Sequence, residues 1–216
     1  MEQGVSAQFE IKPIDASLVD ASFDLASAVF AASSSLHSAL DVTLQDYRAY
    51  LRAPFVAMIA EGLSVAALDR ASGAMAGCLI ATDLHAALSP APVPDGPLGA
   101  IAALSQQAAQ RYAELRPFQS GEVMLVDMAA VAKPFGGQGI YLALRNAAQC
   151  RARKLGFRRV VGELSSPASQ HVVLNRLGHE KVLELPLRTF RFRDGFPFAA
   201  INEPQCLILS EGRLSR

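Results

Sequence analysis

The chain has no tryptophan, only three cysteines and no net formal charge. Each scarcity removes a class of function. Twenty basic against 20 acidic side chains leave no surplus to attract nucleic acid or an anionic membrane. Cys78, Cys150 and Cys206 have neither metal nor redox spacing, and each falls in an apolar pattern. They read as buried free thiols in a reducing compartment. The four histidines, His37, His85, His171 and His179, also lack ligand spacing, so no metal is expected. No apolar run approaches the ~18 residues of a membrane span. Met1 to Glu10 has no basic or apolar leader segment, so a soluble cytoplasmic protein is expected. The sequence leaves oligomeric state open, a homodimer included.

What is present is apolar substance: 216 residues, 51% of them hydrophobic. That suits one domain with a sizeable core, spanning 1–216. Phe9 to Ile14 alternates like a strand. Ser17 can cap a helix to about Ala32, and Ser33-Ser34-Ser35 breaks it. Thr43 caps a second helix to about Leu51. Ser64–Asp69 and Ala74–Ala81 flank the turn Ala71-Ser72-Gly73 and predict a hairpin. Pro90, Pro92, Pro94 and Pro97 mark a linker. It opens an insertion at about 85–118, whose alanine-rich helix aligns Ile101, Leu104, Ala108, Tyr112 and Leu115 and ends at Pro117. Arg158–Glu163 predicts a strand. Ser165 or Ser166 caps a helix starting near Pro167 and stopping at Gly178. Lys181–Pro186 and Gln205–Leu209 predict the last strands, joined through a turn at Asp194-Gly195.

One segment carries chemistry. The apolar run Val123–Val131 leads into Lys133-Pro134-Phe135-Gly136-Gly137-Gln138-Gly139-Ile140, and a helical pattern continues to about Leu155. A strand, a glycine turn and a helix start, in that order, form an anion cradle of backbone N–H groups. Glycines admit a phosphate closer than a Cβ would allow. A plain tight turn and a Rossmann phosphate loop are the alternatives. The Rossmann pattern lacks its third glycine, although Glu163 does sit near the end of the following strand.

The segment resembles motif A of the GCN5-related N-acetyltransferases, Q/R-x-x-G-x-G/A. Gly136 takes the Gln/Arg position, Gly139 the first glycine and Tyr141 the final Gly/Ala. The order of the elements around it also matches that family. The resemblance implies an α/β (α+β) fold: a central mixed, mostly antiparallel twisted sheet flanked by helices, with an extra helix inserted between strands 3 and 4. It implies that backbone amides of Gly136, Gly137, Gln138, Gly139, Ile140 and Tyr141 hold the pyrophosphate of acetyl-CoA, and that Ala129, Ala130 and Val131 pair with its pantetheine arm. The activity implied is acetyl transfer to a small primary amine. A non-catalytic acyl-CoA-binding domain is the other reading. Gly162-Glu163-Leu164-Ser165-Ser166, Ser169, Arg176-Leu177-Gly178 and the Asp194-Gly195 turn are similar to the arylalkylamine branch.

Acetyl transfer needs a neutral amine, a polarised carbonyl and a protonated thiolate. Asp127 is the candidate base, set on one strand face with Ala129 and Val131. A salt bridge to a nearby arginine is its structural alternative. The tyrosine that protonates the thiolate in the family falls at Leu174 here, and a branch-specific glutamate falls within Ser34-Ser35-Leu36. The resemblance therefore assigns Ser166 and Ser169, beside Ser165, as candidate acids, with helix capping as the alternative. His171 is a further candidate acid. Arg151, Arg153 and Lys154 either face a CoA phosphate or complement their helix C-terminus. Arg188, Arg191 and Arg193 either favour an acidic acceptor or guard an edge strand.

Overall fold

A computed structural model describes residues 7–88, 93 and 95–214. Strands are β1 (Phe9–Pro13), β2 (Val65–Asp69), β3 (Met75–Asp83), β4 (Val123–Val131), β5 (Arg159–Leu164), β6 (Glu180–Pro186) and β7 (Cys206–Arg213). They form one mixed sheet in the order β1-β2-β3-β4-β5-β7-β6, in which β4 and β5 run parallel and the other neighbours antiparallel. Helices are α1 (Val19–Ser33), α2 (Ser35–Ser38), α3 (Leu44–Tyr50), α4 (Arg52–Ala60), α5 (Leu98–Leu115), α6 (Ile140–Lys154) and α7 (Pro167–Gln170). A π-helical stretch, His171–Arg176, extends α7. This is the α/β arrangement that the sequence predicts, with the inserted helix α5 between β3 and β4.

The helices divide between the two faces of the sheet. Phe23 of α1, Tyr47 of α3 and Phe55 of α4 bury against Cys78, Ile80, Met128 and Ala130. On the same face, Leu104, Ala108 and Tyr112 of α5 cover Leu125, Val161 and Leu209. The opposite face carries α6, whose Ile140, Leu144, Ala148 and Ala152 pack on Leu79, Val126 and Val160. That spacing is the helical stripe expected of a half-buried helix. Gly77 lets α6 come close: a Cβ there would meet the Ala130 carbonyl and Ile140 Cγ2, each at 3.0 Å.

Several expectations are corrected. Ser17 does not cap α1; its hydroxyl donates to Asp15, and the cap position is Leu18. Helix α4 is additional to the sequence reading. Pro54 lies in its first turn, where an N–H would have no helical partner anyway, so the proline does not break it. Of the cysteines only Cys78 is buried; Cys150 and Cys206 are half-exposed. The proline linker falls largely outside the described residues. Thr43 does cap α3, in a reciprocal box with Asp46. No helix among the described residues is long and apolar enough to cross a membrane.

Candidate active site

Strands β4 and β5 pair from Val123↔Arg159 to Val126↔Gly162 and then separate, although β4 continues to Val131 and β5 to Leu164. A cavity of about 470 Å³ occupies this gap. One wall comes from α1 to α4, through Phe30, Ser34, His37, Tyr47, Tyr50 and Met58. A second comes from α5, through Ile101, Leu104 and Ser105. The third comes from the parted strands with Tyr141, Arg145, Ser165, Ser166 and Ser169.

Asp127 stands at the point of separation, and it stands there because β4 bulges. Ile80 pairs with Met128 and the next residue, Ala81, pairs with Val126, which leaves Asp127 without a partner on β3. The bulge corrects the expected common face: Ala129 and Val131 pack with the α6 cluster, whereas Asp127 points to the other side, where its charge is felt by Tyr47 and Glu163. Loss of water around the carboxyl raises the Asp127 pKa to about 6. Nor does a salt bridge hold it: no ion pair among the described residues includes Asp127.

Glu163 is the site residue that sequence reasoning undervalued. It follows Gly162 on β5 as Asp127 follows Val126 on β4, so the two carboxylates occupy matching positions just past the last pair. Desolvation first, and the Asp127 charge in addition, lift its pKa to about 7 against the lowering effect of a 2.7 Å hydrogen bond from Ser105 Oγ. The available signal was its place one residue before the end of a strand in a stretch without other acids. What no local pattern could reveal was that the inserted helix supplies its partner.

Other polar groups complete the walls. The Tyr47 hydroxyl is buried and has no partner among the described residues. His37 stacks on Tyr47 with 5.4 Å between ring centres and meets Ser34 Oγ at 2.6 Å. Burial lowers its pKa to about 4, so it is neutral. Ser166 and Ser169 face the cavity but form a capping box. Ser166 Oγ donates to Ser169 Oγ at 3.0 Å, and Ser169 Oγ to the Ser166 carbonyl at 2.9 Å.

The glycine loop lies beyond the cavity lining, on the α6 side. Gly137 and Gly139 have φ of 76° and 80°, conformations that suit glycine. Gly139 is the N-cap of α6, and no side chain caps that helix, so its first-turn amides are free of side-chain competition. Ala129 and Tyr141 line the cavity, while Ala130 is buried in the α1 side of the core. Several outlying candidates have structural partners instead. Arg151 donates twice to the Gly62 carbonyl, Arg193 pairs with Asp95, and Arg188 donates to the Ala199 carbonyl. The exposed His171 ring meets the Asn175 amide, away from the cavity.

Neither protein-family models nor curated sequences return a match to the chain. Solved structures do. The C-terminal condensation domain of Ebony, in complex with beta-alanyl-dopamine, superposes with a TM-score of 0.86 at 16% identity, covering 95% of this chain and 99% of that one. An agmatine N-acetyltransferase in apo form gives 0.79 at 16% identity, with 95% and 99% coverage. Arylalkylamine N-acetyltransferase 2 from Aedes aegypti gives 0.77 at 16% identity, with 96% and 99% coverage. At such identities the likeness is one of fold, and it spans nearly the whole of each chain.

Proposed function

We propose that this chain, built on the fold of the arylalkylamine and polyamine N-acetyltransferases, moves an acetyl group from acetyl-CoA to a small primary amine. One observation carries the reading: a cavity runs through the parting of β4 and β5 with two desolvated carboxyls on one side and an uncapped, glycine-started helix beyond the other. The residues fit acetyl-CoA. Gly136 to Tyr141 would receive the pyrophosphate on backbone amides. The β4 edge at Ala129, Ala130 and Val131 has lost its β5 partner and would receive the pantetheine arm.

Acetyl-CoA supplies the acyl group as a thioester already activated toward amines. The protein must hold the amine and remove its proton. Asp127 and Glu163 do both: their shared negative charge attracts an ammonium ion, and pKa values of about 6 and about 7 place them in range to accept a proton near neutrality. The Tyr47 hydroxyl beside Asp127 is free to hydrogen-bond the carboxylate or the amine. Phe30, Tyr50 and Met58 form an apolar wall for the rest of the acceptor, which favours an aromatic or alkyl arm over a sugar or peptide. Ser166 and Ser169 hold the turn that closes the cavity, and they contribute to catalysis mainly through that position.

A non-catalytic acyl-CoA-binding domain is the competing reading, favoured by Leu174 where the family places a proton-donating tyrosine. Two measurements separate them. Saturating acetyl-CoA should raise the melting temperature and NAD should not, since a ligand held only by the native state stabilises it by mass action. An amine panel with thiol detection should then release CoA. A shift with NAD alone overturns the ligand assignment, and binding without transfer to any amine supports the rival.

A further inference from the structure

Arg145 is a group that the carboxylate chemistry does not use. Its side chain is 1% exposed. It reaches from α6 to the β5 backbone and bounds the cavity, with NH1 3.2 Å from where a Cβ on Gly162 would stand. Nε and NH2 have no hydrogen-bond partner among the described residues. The groups that feel its charge are Tyr141, one turn earlier on α6, and His179. Asp127 and Glu163 lie across the sheet, where Glu163 feels the Asp127 charge instead. A guanidinium stripped of water and left unpaired is costly to a fold. A ligand that develops negative charge beside it would supply the missing partner.

Tyr141 faces the same part of the cavity. Its ring packs against the cluster of Leu164, Val173 and Ile208, which Leu174 also joins. Its hydroxyl is engaged by none of the described residues. Burial makes the phenol hard to ionise, and Arg145 works in the opposite direction. The nearby serines are poorer donors because their hydroxyl protons are committed to the capping box.

Resting on the acetyl-transfer reading, we propose that Tyr141 and Arg145 form the receiving site for the leaving sulfur, the phenol as proton donor and the guanidinium as its counter-charge. As the bond from amine nitrogen to acyl carbon forms and the carbon–sulfur bond breaks, sulfur keeps the electron pair. The Tyr141 hydroxyl gives it a proton, and Arg145 holds the phenolate until water restores that proton. Of the two protons the ammonium loses, one passes first to the Asp127–Glu163 pair. On balance one proton ends on sulfur and one in solvent. The two halves of the reaction are thus served from opposite faces of the sheet.

Calorimetric binding of CoA and of desulfo-CoA tests the site without turnover. At about pH 10, above the ~8.5 reference value of a cysteine thiol, the CoA thiol is substantially ionised, and the native protein should bind CoA about tenfold more tightly than desulfo-CoA. Arg145→Met should erase that preference and leave desulfo-CoA affinity unchanged. Kinetics give the second arm. Tyr141→Phe should lower kcat by on the order of tenfold to a hundredfold with KM for acetyl-CoA unchanged. Tyr141→Phe with Leu174→Tyr should recover part of it, because the new phenol enters the same cluster. Should Arg145→Met not fold, Arg145→Lys keeps the charge without the planar fork and should show a reduced preference. Equal preference in native and Arg145 variants, or native kcat in Tyr141→Phe, overturns the proposal. A native protein that binds neither CoA nor desulfo-CoA overturns the acetyl-CoA reading itself, and this one with it.

Discussion

Asp127 and Glu163 stand at matched positions on β4 and β5, one residue past the last pair of the parallel ladder, and the Asp127 charge raises the cost of ionising Glu163. Separation of the strands opens the space between them, and the bulge at Asp127 turns its carboxyl toward that space. The pair therefore exists only because the sheet fails to stay paired.

The pH profile should follow from this coupling. Both carboxyls must lose protons to act as base, so kcat/KM should rise with pH through about 6 to about 7. Glu163→Gln removes a neighbouring negative charge and should shift the limb down. Ser105→Ala removes the hydrogen bond that favours ionised Glu163 and should shift it up. A limb unmoved by either substitution would remove the carboxylates from the chemistry.

Stability should show the same groups with a definite sign. Their folded pKa values lie above the ordinary carboxylate range, so the native state binds extra protons between about pH 4 and about 7. Stability falls as pH rises through that window. Asp127→Asn should accordingly raise the melting temperature at neutral pH, by roughly 2–4 °C for each ~1 kcal/mol recovered. The gain should vanish toward about pH 4, below which both proteins carry a neutral group. Thermal denaturation across pH reads this directly.

The glycine loop should separate ligand loss from fold loss. Gly139 has φ of 80°, so any side chain there carries strain of about 1–2 kcal/mol in addition to blocking the cradle. Gly139→Ala should fold with that modest penalty and lose CoA affinity by on the order of tenfold or more. Calorimetry on a variant with a native circular dichroism spectrum checks it, and unchanged affinity would make the loop only a turn.

Gly77 should matter for a different reason, since it has no unusual φ but sits under α6. Gly77→Ala should destabilise by about 1–3 kcal/mol, because its Cβ meets a backbone carbonyl rather than a movable side-chain tip. Chemical denaturation measures that loss.

Much of the fold could be read from periodicity and punctuation. The cap at Thr43, the Pro167 helix start, the stop at Gly178 and the strand–glycine–helix order around Gly139 are local signals, and each appears where expected. The reading ran out where tertiary contacts decide. Helix α4 was not read from the sequence, and its Pro54 stands in the first turn, where a proline is tolerated. Asp127 was recognised as an acid in an apolar strand, but alternation assigned it the wrong face because one residue of bulge reverses the count. Glu163 and Arg145 acquire meaning only from partners that are distant in sequence or absent, Ser105 in the first case and an unmet hydrogen-bonding requirement in the second.

The most direct measurement is amine-dependent release of CoA thiol from acetyl-CoA at neutral pH, comparing native protein with Asp127→Asn. The native protein should release thiol in step with acetylated product for at least one small aryl- or alkylamine. Asp127→Asn should bind acetyl-CoA as well as the native protein and turn over on the order of a hundredfold more slowly, with the deficit shrinking as pH rises and free amine accumulates. Equal rates in the two proteins at every pH would contradict the assignment of the carboxylate pair.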